Sequence, residues 1–427
     1  MGLTPVPDSE EKRPLLKSPA QKRARWPALP WHSWVGTAWM GPVGGVATVV
    51  VVRAFNGDAV KLTIEGVDLG FAAIATIAAV VVWLVLWLVS GLFYLPFTSP
   101  AKANTRNYGE LRNRLATLDA RRRALCEPSP SGAPPSATSE SACNEAKSYL
   151  DWVRGQSHGT GDLRWVNGAG YIDLWQRLHR AEEALLMATP REQLLDEVLY
   201  DELRLKDSAI PNRDDLMGIL RAVKRYLCGA QPDPTAALCI NSPEQAASAL
   251  TNVRFSINDF RDSSWNGLLQ LRNQTMTTLL LTNITLFAFA DGAVISGASG
   301  AAMLSATVFL LVGSAVGFFN RLNSQFQVQA AVEDYGLTSA RILAIPAYSG
   351  MAAVAGVVIT SVAGVATGAT PPSLSTLFVL PPSTGLLLVA AAFGAAPDLV
   401  LSRLGDASEK LKNGIASTEP GARQPSK

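Results

Sequence analysis

The sequence predicts an all-α, polytopic helical membrane protein with an inserted soluble helical domain. Three stretches have no charged residue: Leu69–Ala101, Gly292–Asn320 and Ile342–Pro397. Each exceeds the roughly 20 residues that a helix needs to cross a bilayer. Only 17% of the 427 residues are charged, against about 25% in an average soluble protein. The charged residues concentrate in the termini and between positions 98 and 275, which predicts a soluble region there.

The N-terminal part begins with a polar tail. Residues 1–33 are rich in proline and have no apolar core near the start, so we expect a disordered cytoplasmic tail and no signal peptide. Two transmembrane helices are predicted within 34–97. The first, 34–52, is rich in glycine and has tryptophans at its start, as in an interfacial aromatic belt. The second, 69–95, is almost purely apolar.

Residues 98–275 are predicted to form a soluble, all-helical domain with a low-complexity linker at 127–142. Leucines recur at helical spacing in its first part, and capping boxes begin at Thr189 and Ser242. The domain has 22 Lys+Arg and 22 Asp+Glu. A neutral domain argues against a nucleic-acid partner, because phosphate binding needs a basic surface.

The capping box at Ser242 predicts one helix from 243 to about 297. Such a helix would be about 80 Å long. It would leave the soluble domain and become the first of four late spans, which would couple the two parts mechanically. The predicted spans are 276–296, 301–319, 348–368 and 375–396, followed by a polar C-terminal tail at 398–427.

Six spans place both termini and the soluble domain on one side of the membrane. That side would then hold 35 of the 37 Lys+Arg residues, all except Arg53 and Lys61. The positive-inside rule therefore predicts a cytoplasmic domain in a multi-pass protein of the cell (inner or plasma) membrane. If 34–52 does not span, five spans remain and the domain lies outside.

The cysteines favour the opposite side. Cys126 and Cys143 flank one predicted loop, and Cys228 and Cys239 flank another. Two such pairs suit disulfides, which form in an oxidising compartment. The alternative is four reduced thiols at helix ends, and the charge distribution favours that alternative.

Polar residues within the late spans are candidates for a pore. Asp291 lies near the end of the first late span, beside a predicted turn, where an interfacial or turn role is favoured over proton or cation handling. Thr275, Thr278, Thr282 and Thr285 recur on one helix face. This stripe could line a hydrated path, but hydrogen bonding within packed helices is favoured.

Small residues recur every four positions in two of the late spans. This spacing places them on one face and lets helix backbones approach closely, within one chain or between copies in a homo-oligomer. The residues are Gly313 and Gly317 in one span, and Ala352, Gly356, Thr360, Gly364 and Gly368 in another.

No motif indicates chemistry. The glycine-rich stretch 158–170 has neither the spacing nor the lysine of a phosphate-binding loop. Three histidines without a Cys-x-x-Cys pattern suggest no zinc site. The sequence therefore predicts no catalytic, cofactor-binding or metal-binding residue, and gives no reason to expect enzymatic activity.

The leading functional hypothesis is a non-enzymatic membrane protein. Its soluble domain would sense or bind a partner and would be coupled to the transmembrane helices by the helix from 243 to 297. An oligomeric pore or ion channel gated by the soluble domain is the alternative, and a secondary transporter ranks third. The predicted partners are the lipid bilayer and other copies of the chain.

Overall fold

The computed structural model describes most of the chain. The described residues are 37–56, 62–64, 67–97, 99–127, 137–156, 168–206, 208–229, 240–325, 335–365 and 385–397, with Lys412, Asn413, Ile415 and Thr418 near the C-terminus. The predicted tail at 1–33, the loop at 158–162, Cys239 and Gly368 lie outside the described residues.

One set of helices, called here the polar bundle, corresponds to the predicted soluble domain. It packs around two apolar cores, one containing Leu111, Leu150 and Leu178, the other Leu194 and Leu220. Its helices are α3 (Ser99–Cys126), α4 (Ala137–Gln156), α5 (Ala169–Leu186), α6 (Arg191–Lys206), α7 (Arg213–Leu227) and the first half of α8 (Pro243–Ile295).

The other set, called here the apolar bundle, contains the second half of α8. The remaining members are α1 (Met40–Asn56), α2 (Phe71–Phe97), α9 (Gly300–Gln325), α10 (Leu337–Val365) and α11 (Gly385–Pro397). Within the described residues, α2, α8, α9 and α10 are long and apolar enough to cross a membrane, whereas α1 and α11 are apolar but shorter.

The helical fold class holds for the described residues with one exception. The connector between α1 and α2, predicted as a polar loop, contains an antiparallel hairpin of β1 (Leu62–Ile64) and β2 (Val67–Leu69). The strand residues are β-branched or leucine at five of six positions, which suits a short strand pair.

Two helices begin earlier than the sequence analysis expected. The linker was expected to reach residue 142, but α4 begins at Ala137, and the burial of Ala142 extends the apolar face of the helix into the predicted linker. The fifth span was expected to start at 348, but α10 begins at Leu337 and contains Pro346.

Helix α8 runs unbroken for 53 residues, as its capping box predicts. The Oγ of Ser242 accepts a hydrogen bond from the backbone N–H of Gln245 at 3.2 Å. The side-chain Oε1 of Gln245 accepts one in return from the N–H of Asn241 at 2.8 Å. This reciprocal pair satisfies two backbone donors at the helix start. The Thr189 hydroxyl behaves differently, because it donates backwards to the Leu185 carbonyl.

The ends of the apolar helices fall into two groups. Tyr335 and Leu337, just before and at the start of α10, belong to the core of the polar bundle, and so does Ile415 after α11. At the other end, Arg53 of α1 donates from Nε to the Ala298 carbonyl in the turn after α8, at 2.6 Å. The start of α10 and the segment after α11 therefore lie at the polar bundle, away from the α8–α9 turn.

Candidate functional site: a buried ion network and a polar pocket on the long helix

Arg254 of α8 is the centre of a buried ion network. Its guanidinium is fully buried and contacts three carboxylates. The nearest atoms of Asp201 and Glu197 lie at 2.8 Å, and those of Glu182 at 3.2 Å. Burying charges is costly, so such a network is stable only when every member keeps its partners. It joins α5, α6 and α8 at one point.

The charges of this network shift the pKa values of its members. Burial alone would lower the pKa of Arg254. The carboxylates of Asp201, Glu182 and Glu197 outweigh this effect, so the pKa of Arg254 is raised. Burial alone would raise the pKa of Glu182, yet Arg114 and Arg254 hold it at about 2. The Arg254–Glu182 ion pair is therefore charged at neutral pH, whereas burial raises the pKa of Asp201 despite the nearby Arg254 and Arg204.

Further contacts connect the network to α3 and to the C-terminal tail. From α3, Arg114 pairs with Glu182, and Arg121 pairs with Glu197 at 2.7 Å. On α6, buried Arg204 donates from Nε to the backbone carbonyl of Thr418 at 3.1 Å. Part of the predicted polar tail therefore packs on the polar bundle, which the sequence did not indicate.

A polar pocket of about 450 Å³ lies beside the network, between α4, α5 and α8. Four carboxyl groups and two guanidinium groups face it, together with an aromatic wall and one histidine. Arg177 stacks on Tyr149 and Trp152, and Arg180 stacks on Phe255 with its Cζ 4.1 Å from the ring centroid. The acidic residues of the lining are Asp173, Glu183, Asp259 and Asp262.

His179 is oriented by a carboxylate within this pocket. Its Nδ1 lies 3.0 and 3.1 Å from the two carboxylate oxygens of Asp262. Glu183 receives a hydrogen bond from the side-chain amide of Asn258 at 3.0 Å, and burial raises its pKa. The described lining contains no serine, threonine or cysteine. The pocket thus offers oriented charges and hydrogen-bonding groups, which suit ligand binding.

An aromatic cluster extends from this pocket to the start of α10. The ring of His179 lies 6.1 Å from that of Trp265 on α8. Trp265 packs edge-on against Tyr335, with the ring centroids 6.4 Å apart. Tyr335 also contacts Tyr171 of α5 at 5.7 Å, and its backbone has a positive φ of 52°. A non-glycine residue in this conformation is held there by its surroundings.

Threonines of the stripe make hydrogen bonds within α8 and to α10. Thr275 and Thr285 donate to backbone carbonyls four residues earlier at 2.8 and 2.9 Å. Thr278 donates to the Gln274 carbonyl and also contacts the hydroxyl of Tyr348 on α10. Thr278 and Thr285 are exposed, and Thr282 is partly buried. These contacts favour a role in helix packing.

Asp291 connects α8 with α2. Its Oδ1 accepts a hydrogen bond from the Thr76 hydroxyl at 2.7 Å. It lies four residues before the end of the helix at Ile295.

Glycines occupy close helix contacts in the apolar bundle. A Cβ on Gly313 would lie 2.6 Å from the Ser349 carbonyl, and one on Gly317 would lie 1.9 Å from the Ser349 Oγ. A Cβ on Gly356 would meet the ring of Phe393 on α11 at 2.2 Å. Gly364 lies in the last turn of α10. The contacts at the first three glycines are within one chain.

The cysteines differ from one another in the structure. Contrary to the reduced thiols that the charge distribution favoured, Cys126 at the end of α3 forms a disulfide with Cys143 of α4, with Cα atoms 5.9 Å apart. Cys228 follows α7 and carries an exposed free thiol. Its predicted partner, Cys239, lies outside the described residues.

The sequence analysis missed the ion network and the pocket, although one signal was present. Arg254 falls on the same face of α8 as Leu250 and Ile257, which are fully buried. A charged residue at apolar spacing within a helix indicates a buried charge that needs partners.

Fold and site together define a helical protein in which one long helix is shared between a polar bundle and an apolar bundle. Four of its described helices are long enough to cross a membrane. Comparisons with protein-family models, with curated proteins and with solved structures found no match.

Proposed function

We propose that this chain is a polytopic membrane protein whose polar bundle is a soluble sensory domain. The domain binds a partner in the pocket between α4, α5 and α8 and transmits that binding to the transmembrane helices. The observation that carries this proposal is the position of Trp265, which contacts both His179 of the pocket and Tyr335, the residue two positions before α10. Two side chains, Trp265 and Tyr335, therefore connect the pocket to the start of α10 in the apolar bundle.

The lining of the pocket favours a partner that presents a cationic group. Four carboxyl groups face two guanidinium groups there, and both arginines already stack on aromatic rings. The surplus negative charge attracts a cationic partner, which makes binding selective and increases the association rate. The partner is either a small molecule or a short protein segment that fits a volume of about 450 Å³.

We place the sensory domain in the cytoplasm. The core of the polar bundle contains Tyr335, Leu337 and Ile415. The chain therefore returns to this bundle before α10 and again after α11, which supports an even number of membrane crossings from α8 to the C-terminus. With α1 and α2 crossing as well, 35 of the 37 Lys+Arg residues lie on the side of the domain, as in cytoplasmic segments of multi-pass proteins.

Hydrogen exchange of the protein in lipid nanodiscs tests the coupling. Asp262→Asn removes the charge that holds His179 and keeps the side-chain size. We expect faster amide exchange in the polar bundle near residue 262 and also at 337–345 in α10. The second effect should disappear when Tyr335→Leu is added, because Trp265 then lacks its aromatic contact.

Phe318→Leu is the matched control, since it removes an aromatic ring of α9 that lies outside the cluster around Trp265. This variant should leave the response at 337–345 intact. A response to Asp262→Asn that stays within α5 and the first half of α8 would refute the coupling.

A further inference from the structure

We propose that the cleft between α1, α8, α9 and α10 binds a neutral, lipid-soluble carbonyl compound of the quinone class. The bound carbonyl oxygen accepts a hydrogen bond from the side-chain amide of Asn283. This proposal rests on the membrane insertion proposed above, but not on the sensory role of the polar bundle.

The cleft has the size and lining of a site for one small apolar ligand. Its volume is about 760 Å³, within the range of about 300–1,000 Å³ that ligand pockets occupy. The wall is mainly aliphatic and includes Val46 of α1, Leu286 of α8, Leu310 of α9 and Val354 of α10. Two aromatic side chains, Trp39 and Phe289, also line the cleft.

Most hydroxyl groups at the cleft are already used within the protein. Ser296 donates to the Ala293 carbonyl at 3.0 Å, and Thr307 donates to that of Met303 at 2.8 Å. Ser314 of α9 donates to the Pro346 carbonyl at 2.7 Å. These hydrogen bonds leave the hydroxyls with little to offer a ligand.

Asn283 differs from these residues. Its side chain is 2% exposed, and its Nδ2 has no hydrogen-bond partner among the described residues. A buried donor without a partner is unfavourable, and more so in hydrocarbon, where water cannot satisfy it. Because Asn283 lines the cleft, an oxygen atom on a bound molecule would satisfy this donor.

The depth of Asn283 determines which oxygen can reach it. Asn283 is about 16 Å along the helix axis from Arg272 and about 18 Å from Ile295, and therefore near the middle of a core about 30 Å thick. Phospholipid ester groups lie at the edges of that core. A carbonyl at mid-depth belongs to a neutral molecule that dissolves in hydrocarbon, and a quinone has this property.

Titration with a short-chain benzoquinone, decylubiquinone, tests the proposal. The full chain is placed in nanodiscs of one synthetic phospholipid, and quenching of tryptophan fluorescence is followed, with Trp39 at the cleft as the nearest reporter. We expect saturable quenching at one quinone per chain. Asn283→Leu should weaken binding about tenfold, as the loss of one buried hydrogen bond does.

Two further variants serve as controls. Thr285→Val removes a hydroxyl from an exposed position on the same helix, outside the cleft, and should bind like the wild type. Ala47→Phe fills the cleft from an exposed position on α1 and should abolish saturable binding. Dodecylbenzene, which has no carbonyl group, should bind Asn283→Leu and the wild type with equal affinity.

Quenching that rises linearly and equally in all variants reflects partition into the bilayer and overturns the proposal. Equal quinone affinity of Asn283→Leu and the wild type overturns the assigned hydrogen bond. Failure of membrane insertion would appear earlier, as protein recovered in the aqueous fraction without detergent. Quinone binding at the cleft is also measured independently of the hydrogen-exchange response to Asp262→Asn, so either proposal can fail without the other.

Discussion

The Nη2 of Arg254 lies 2.8 Å from Oδ2 of Asp201, and both side chains are fully buried. The two residues are 53 positions apart in the chain. This ion pair joins α8 to α6 in the half of α8 that belongs to the polar bundle. The same helix continues into the apolar bundle, so the network fixes the position of the element on which the proposed coupling depends.

Replacing Arg254 by methionine should destabilise the polar bundle by about 3–5 kcal/mol, because the carboxylate of Asp201 would be left buried without its main partner. Thermal unfolding followed by circular dichroism measures the loss. Arg213→Met is the matched control: Arg213 pairs with Asp214, whose side chain is 90% exposed, and the change should cost less than about 0.5 kcal/mol. A cost below about 1 kcal/mol for Arg254→Met would contradict the network.

The stability of the polar bundle should fall in acid because of Glu182. Its pKa is about 2 in the folded protein and about 4.3 in an unfolded chain. The unfolded state therefore takes up a proton first, and the stabilisation present above about pH 4.3 is lost as the pH falls towards 2. Melting temperatures between pH 7 and 3 measure this loss. The Glu182→Gln variant should be less stable at pH 7, and its melting temperature should depend less on pH. An unchanged pH dependence would contradict the role of Glu182 in the loss of stability.

Two glycine-to-alanine substitutions should change the free energy of unfolding in opposite directions. In Gly313→Ala the new Cβ would lie 2.3 Å from the Cβ of Ala353 and 2.6 Å from the Ser349 carbonyl. We expect α9 and α10 to move apart at a cost of about 1–3 kcal/mol. Gly218→Ala on α7 meets no atom within 4 Å and should stabilise that helix by about 0.5–1 kcal/mol. Unfolding in detergent measures the change in unfolding free energy of each variant. Changes of the same sign would contradict the close contact between α9 and α10.

Cys228 reports on the side of the membrane where the polar bundle lies. In a chain that retains only this cysteine, a membrane-impermeant maleimide should label permeabilised cells and leave intact cells unlabelled. The same chain with Cys228→Ser gives the background. Labelling of intact cells would place the domain outside, where the Cys126–Cys143 bridge would be expected to persist.

The sequence determined the elements that depend on local patterns. The charge-free stretches predicted the positions of the apolar helices, because a run that cannot be solvated must be buried in lipid or protein. The capping box at Ser242 and the absence of proline between Pro243 and Pro346, with only Gly267 interrupting the run before the membrane, predicted α8. The hairpin at 62–69 and the early start of α4 were missed, since weak local preferences decide both.

The tertiary structure decided which polar residues work together. Glu182 and Asp201 reach Arg254 from 72 and 53 positions away, and no local pattern distinguishes them from the solvated acids around them. His179 gains a role only beside Asp262 on another helix, and Asn283 only where four helices leave a cleft around it. Burial and partners are properties of packing between distant segments. A sequence pattern can indicate which face of a helix is buried, but the packing determines what that face meets.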